Sequence, residues 1–417
     1  MRSWLILTVV LLASPMLRAD ESPLIVHEWG TFTSLQNSNG DAIGGINTDD
    51  EPVPGFVHTL DSSLVSRSTA STQPQGKGAF PVLHPDITMR LETPVIYFYR
   101  PAGSAGPLTA DVSVTFHGGY LSQYYPNVTG PQPVVTQDIA TGTFKPVETT
   151  TAHTISWPNL QIGTGGVGPA TSDRVWTAPR EVNAEYVTSE KGESEKFLFY
   201  RGVGHLVSPL KVLQDGPNLR LTGEPVLQPP IYRMGLSAAW LVDIRADGMV
   251  AFQSVKTLNF PAVPDGNIYD FIPLDDYSAE NLLKLRTAMR SALVADGLFA
   301  DEADAMLNTW EASYFKSPGL RVFYIVPPAW TDKVLPLKVS IPAKITRVMV
   351  GRIELVTPEQ QALLGTISNR NDVPRLGRFA AALLNEEERQ RPSARLVNLI
   401  AEMNFSSANV ARSVAGK

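Results

Sequence analysis

The stretch Leu24–Thr33, LIVHEWGTFT, decides how the chain is built. Its β-branched and aromatic residues predict the first strand of the mature protein. It also sets a histidine, a carboxylate and a tryptophan side by side. Successive side chains of a strand point to opposite faces, so His27 and Glu28 are expected on different sides of a sheet. They enter one site together only through a bulge.

Upstream, residues 1–19 have the layout of a secretory signal. Arg2 supplies the positive end, Trp4–Ala13 the apolar core, and Leu17-Arg18-Ala19 the cleavage site before Asp20. A membrane anchor needs about 20 apolar residues; this run is shorter and is interrupted by Pro15. The expectation is an exported protein, periplasmic or extracellular, with no membrane span after cleavage. The chain has no cysteine, which excludes disulfides, thiolate nucleophiles and Cys-ligated metals. Its formal charge of −6 falls further when Arg2 and Arg18 leave with the signal. Nucleic acid as a partner is thereby disfavoured, since it requires a basic footprint. With 31 Gly, 33 Pro and only 18% charged residues, the composition points to a turn-rich β protein.

Downstream, strand-like runs recur at 91–100, 110–116, 152–157, 185–190, 196–201, 239–245 and 249–257, separated by Gly, Pro, Asn and Ser clusters. Pro94 lies inside the first of these and predicts an edge or a bulge there. Asp247-Gly248 predicts a hairpin turn. After about residue 260 the texture changes. Leu282, Leu285, Met289 and Leu293 carry helical spacing between Ser278 and Gly297, and 301–315 reads as a second helix. GLRVFYIVP (319–327) and KITRVMVGRIEL (344–355) read as strands. Thr357-Pro358-Glu359-Gln360 then opens a helix with a capping box, and 373–403 is helical with a new segment at Pro392. The fold class is β-rich α+β: an amino-terminal antiparallel β-sandwich-like body, 20–260, packed with a mixed α/β region, 261–417.

With cysteine excluded, imidazole and carboxylate are the ligand types left for a divalent metal, zinc or calcium. All six histidines lie in the first half of the chain. His27, His58 and His84 are the candidate metal ligands, although no compact HExxH pair exists. Glu28 and Glu92 sit between apolar neighbours and are the candidate acid and base of a glycoside hydrolase; the competing reading pairs each with an arginine such as Arg90, Arg100 or Arg201. Asp41, Asp49, Asp50 and Glu51 match no EF-hand order and read as solvated charge. Tyr124 and Tyr125, in GGYLSQYYPN, read as an exposed aromatic turn suited to stacking on a glycan or a protein ligand. Arg201 and His205, in FYRGVGH, are expected at the tip of a glycine turn. Arg321, Arg347, Arg352 and Glu354 read as structural ion pairs of the sheet, with Arg352 and Glu354 on one face. No G-x-S-x-G is present, which disfavours a serine hydrolase.

Taken together, HEWGTFTSLQ, LETPVIYFY, KFLFYRGVG, GLRVFYIVP and RVMVGRIELVTPE resemble an exported bacterial family marked by the HEWGTFT motif. The resemblance implies export and one fold over the mature chain. It implies no activity, cofactor or catalytic residue. Two readings follow. One is an extracytoplasmic hydrolase around His27, Glu28, His58 and Glu92, with a possible role for a divalent metal. The other is a non-catalytic binding protein that engages a glycan or a protein through its tyrosines and the Arg201–His205 turn.

Overall fold

The computed structural model describes residues 23–49, 51–60, 66–67, 83–129, 145–215, 218–223, 233–255, 258–261, 269–271 and 274–403; the stretch 1–19 expected to be a signal and Asp50 lie outside them. Its centre is the strand opened by LIVHEWGTFT. The main sheet contains β1 (Leu24–Gln36), β2 (His58–Thr59), β3 (Met89–Tyr99), β4 (Gly119–Tyr125), β5 (Leu198–Gly204), β6 (Ala239–Ile244), β7 (Val250–Val255), β8 (Gly319–Ile325) and β9 (Ala343–Leu355). They lie side by side in the order β7-β6-β8-β9-β1-β3-β5-β4-β2. Strands from both sides of residue 260 therefore share one sheet. The β1–β9 pair is parallel and in register from Leu24↔Ala343 to Gln36↔Leu355; the other neighbours are antiparallel. Being covered on both faces, β1 is buried along almost its whole length, its polar residues included.

Pro94 falls in a bulge, as its missing N–H requires. The β1–β3 register breaks between Trp29 and Thr31, and Thr93 takes φ +45°. Gly30 faces the irregularity: a Cβ there would lie 2.9 Å from the Pro94 Cα, so only glycine lets the two strands meet. The alternative expectation of an edge does not hold, because β3 runs between β1 and β5.

One face of the sheet packs on a five-stranded sheet made of Leu108–His117, Ala152–Ile162, Val187–Thr188, Ser194–Glu195 and Leu337–Val339. Val26, Ile96, Phe98, Val114, Trp157 and Leu198 fill this sandwich core. The opposite face is covered by helices α1 (Asn281–Ala295) and α2 (Ala300–Thr309) and by a π-helical turn, Glu311–Lys316. Trp29, Tyr97, Phe199, Leu285, Met306 and Phe323 form the core there. Each such fully buried side chain contributes about 1.5–3 kcal/mol. Farther along the same face, helices α3 (Pro358–Thr366) and α4 (Ala380–Gln390) pack on Leu35, Val203 and Val356 as a third core. The protein is thus a β-rich α+β fold with its carboxy-terminal helices laid on the sheet.

The local helix signals are met where the chemistry is local. Thr357 Oγ1 accepts the Gln360 N–H at 3.2 Å, and Gln360 Oε1 accepts the Thr357 N–H at 2.9 Å, the reciprocal capping box. The second expected helix, 301–315, divides instead into α2 and the π turn. That wider turn carries Tyr314 to the sheet, where its hydroxyl meets the Thr31 hydroxyl. Among the described residues no helix is long and apolar enough to cross a membrane.

Candidate functional site

The alternation of β1 separates His27 from Glu28, as expected. His27 faces the helices, where its Nδ1 lies 2.8 Å from Glu302 Oε2. Tyr99 Oη donates to the other Glu302 oxygen at 2.7 Å, and the Phe299 N–H donates at 2.6 Å. Glu302 is fully buried and staples the start of α2 to the sheet. Sequence reasoning missed it; its signal was a carboxylate in the first turn of a helix. Glu28 faces the sandwich core, where it accepts from Tyr200 Oη and from Arg347 Nε, the latter at 2.5 Å. Arg347 also reaches the exposed Asp332 at 3.0 Å.

Several expectations are corrected by this geometry. Glu28 and Glu92 lie on opposite faces of the sheet, because Glu92 is opposite Thr31 in the β1–β3 register; they do not form an acid–base pair across one bond. His27, His58 and His84 do not converge. His58, on the short strand β2, holds Glu193 at 2.9 Å, and His84 donates from Nε2 to the Lys145 carbonyl at 2.9 Å while Nδ1 accepts the Asp86 N–H at 3.3 Å. Among the described residues no three His, Asp or Glu side chains come together to hold a metal ion. Tyr124 and Tyr125 are not an exposed turn. They end strand β4 and are 8% and 3% exposed, because alternation sends one to each core. Arg201 lies buried inside β5 rather than at a tip, donating to Thr93 Oγ1 at 3.1 Å and to the Glu51 carbonyl at 2.9 Å. His205 follows the strand and bonds the Asp86 carbonyl at 2.8 Å. Asp41 is paired with Lys211 at 2.9 Å.

What the structure does bring together is a seam of buried polar side chains. It crosses the helix-covered face of the sheet between the α1–α2 core and the α3–α4 core. Arg321 comes from β8, Arg352 and Glu354 from β9, Thr31 and Thr33 from β1, Arg90 and Glu92 from β3, and Arg201 from β5. Gln123 of β4 lies opposite Arg201, and Arg378 enters from the segment before α4. The stretches HEWGTFT, LETP, FYRG, LRVFY and GRIEL each deliver polar residues to this one line. The sequence reading had treated them as separate features.

Charge is concentrated in the seam. Glu92 lies 2.6 Å from Arg90, 3.6 Å from Arg378 and 3.8 Å from Arg352, and accepts the Thr33 hydroxyl at 3.0 Å. Glu354 lies 3.3 Å from Arg352 and 3.4 Å from Arg321. Glu92 and Glu354 thus each lie beside more than one guanidinium. Arg321 donates to the Ser313 carbonyl in the π turn and to the Ser317 carbonyl just after it. Burial pushes the Arg321 guanidinium down to about 10, Glu354 opposes the shift, and the like charges of Arg352 and Arg378 add to it. Arg352 is fully buried, and none of Nε, Nη1 and Nη2 has a hydrogen-bond partner among the described residues. A buried guanidinium without hydrogen bonds is costly, and a planar array of N–H donors suits carboxylates and oxyanions. The arrangement can hold an anion. A small cavity opens at the Arg201 end, lined by Thr48, Arg90, Glu92, Ser122 and Arg201.

Neither a scan against protein-family models nor a search of curated proteins returned a match for the chain.

Proposed function

We propose that the protein is an exported, non-catalytic binding protein that takes an anionic group into the arginine seam. The observation that carries this reading is Arg352, fully buried, with Nε, Nη1 and Nη2 making no hydrogen bond among the described residues. An anion in the seam supplies the missing acceptors.

The test is thermal unfolding of the purified mature protein in acetate, chloride, phosphate and citrate at constant ionic strength. A ligand that binds only the folded state at about 100 times its Kd adds about 2.7 kcal/mol, a shift of a few degrees. The Arg352→Met variant should lose that shift while staying folded. An unfolding midpoint that ignores every anion at matched ionic strength would sink the reading.

The hydrolase reading keeps one support, the His27–Glu302–Tyr99 arrangement, in which a buried carboxylate fixes the imidazole. Its test is hydrolytic turnover of glycoside and ester substrates that disappears in His27→Gln. Turnover unchanged in that variant rejects it.

A further inference from the structure

An edge strand offers unpaired N–H and C=O groups to other chains unless it is short, charged, kinked or covered. Three of the four edges of the two large sheets are guarded in this way. β2 and Ser194–Glu195 are two residues long, and Leu337–Val339 is three residues long with the exposed Lys338 at its middle. The fourth edge is β7, VAFQSV, six residues without a charge or a proline and in unbroken register with β6.

Alternation decides which backbone groups of β7 face outward. Just before β6, the Ala238 carbonyl accepts the Ile325 N–H, so even-numbered residues of β6 bond β8 and odd-numbered ones bond β7. Ala251, Gln253 and Val255, opposite Asp243, Leu241 and Ala239, therefore direct their groups to β6. Val250, Phe252 and Ser254 turn theirs outward. Val250 is covered, because it exchanges both bonds with Ser278. Phe252 and Ser254 have no outward partner among the described residues. Their two N–H and two C=O groups are placed symmetrically about Gln253.

We infer that β7 is a self-association edge, at which a second copy of the chain pairs antiparallel about a two-fold axis through Gln253. Phe252 then lies opposite the partner's Ser254, and Ser254 opposite the partner's Phe252. The free groups of both copies close four hydrogen bonds with none left over, the self-complementarity that a two-fold interface requires. No charged side chain on β7 meets its own copy across the axis. Gln253 faces the partner's Gln253; its side-chain oxygen is buried without a hydrogen bond among the described residues, and stacked glutamines bond one another. So short a ladder covers less than the roughly 1,200–2,000 Å² of stable complexes, so the dimer is weak, with a Kd between about 1 μM and 1 mM. β7 contributes nothing to the arginine seam, and the inference stands apart from the anion reading.

The chain has no cysteine, so single cysteines introduced into the purified mature protein report the pairing without background. Cα atoms of a pair such as Gln253 and its copy stand about 4.5 Å apart, within disulfide range. With oxidised glutathione as the oxidant, Gln253→Cys should form a covalent dimer about tenfold or more faster than Ser254→Cys, whose copy lies a diagonal away. Random collision would give the opposite order, because Ser254 is exposed and Gln253 half-buried. Sedimentation of the unaltered protein over the same concentration range should show a monomer–dimer equilibrium. Ser254→Pro deletes an outward N–H and none of the β6 ladder, so it should weaken association about tenfold, the scale of two lost hydrogen bonds, with an unchanged unfolding midpoint. Should that variant fail to fold, the cysteine pair decides alone. A monomer at every concentration overturns the inference. Faster linkage of Ser254→Cys than of Gln253→Cys overturns it too, because the contact then lies elsewhere.

Discussion

The two faces of β1 treat buried charge in opposite ways. Toward the sandwich, Glu28 meets one guanidinium and one phenol, and both donate to it. Toward the helices, Thr31 and Thr33 look onto a row of arginines and carboxylates in which Arg352 has no hydrogen bond among the described residues. Each arrangement occupies neighbouring positions of one strand, under comparable burial. The difference teaches that burial alone does not decide the role of an ion pair. A matched pair locks strands together, here β1 to β9 at Glu28↔Arg347. A buried guanidinium without hydrogen bonds stays costly until something fills its donors.

The largest expected effect breaks the matched side. Glu28→Gln leaves the Arg347 guanidinium, buried against the core, without its carboxylate. Removing one partner of a buried pair costs about 3–5 kcal/mol, so the urea midpoint should fall sharply. The seam should answer differently. Arg352→Met removes a buried guanidinium that makes no hydrogen bond, and Glu354 keeps Arg321 while Glu92 keeps Arg90, so no carboxylate is stranded and the loss should be well below that of Glu28→Gln. Urea unfolding of the two variants side by side tests the contrast directly. A loss in Arg352→Met as large as that in Glu28→Gln would make the seam an ordinary structural network.

The sequence made one half of this contrast readable. Period-two alternation placed His27 and Glu28 on opposite faces, and the apolar context of Arg347, Arg352 and Glu354 marked them as buried sheet charges. Glu92 pairs with Arg90 two residues away, one of the partners weighed from sequence. Glu28, by contrast, takes a partner 319 residues distant, because β1 pairs in parallel with the ninth strand of the sheet. No local pattern specifies which strand lies beside which. The same gap hid the seam, whose members come from seven separate stretches and meet only once the sheet is assembled. Tyr124 and Tyr125 were misread for a different reason. The glycines and proline around them look like turn residues, yet Gly119 is needed where the backbone of Val203 and Gly204 comes close, and the tyrosines continue a strand into the core.

A smaller effect calibrates the comparison away from both faces. Thr357→Ala removes the side-chain cap of α3, and caps of this kind contribute about 1 kcal/mol. The helix lies over the third core, beyond the seam, so the loss should appear in the unfolding midpoint while anion binding stays as in the wild type. If Thr357→Ala also abolished binding, general loosening of the helix layer would explain the Arg352→Met result equally well, and the contrast between the faces would lose its meaning.

The smallest effect concerns a histidine whose two ring nitrogens are both engaged as a neutral imidazole. His84 donates from Nε2 to the Lys145 carbonyl and accepts the Asp86 N–H at Nδ1. Burial lowers its pKa below the ordinary 6.5, outweighing the hydrogen bond to Lys145 and the charge of Asp86, which act the other way. The unfolded chain therefore takes up a proton at His84 before the folded protein does. Stability from this group is complete above about pH 6.5 and is lost as the pH falls through the folded value. The unfolding midpoint should drop between pH 7.5 and pH 5.5, each an approximate setting on either side of the ordinary histidine range, and His84→Gln should flatten part of that slope. A slope that survives unchanged in His84→Gln would assign the acid sensitivity to groups other than His84.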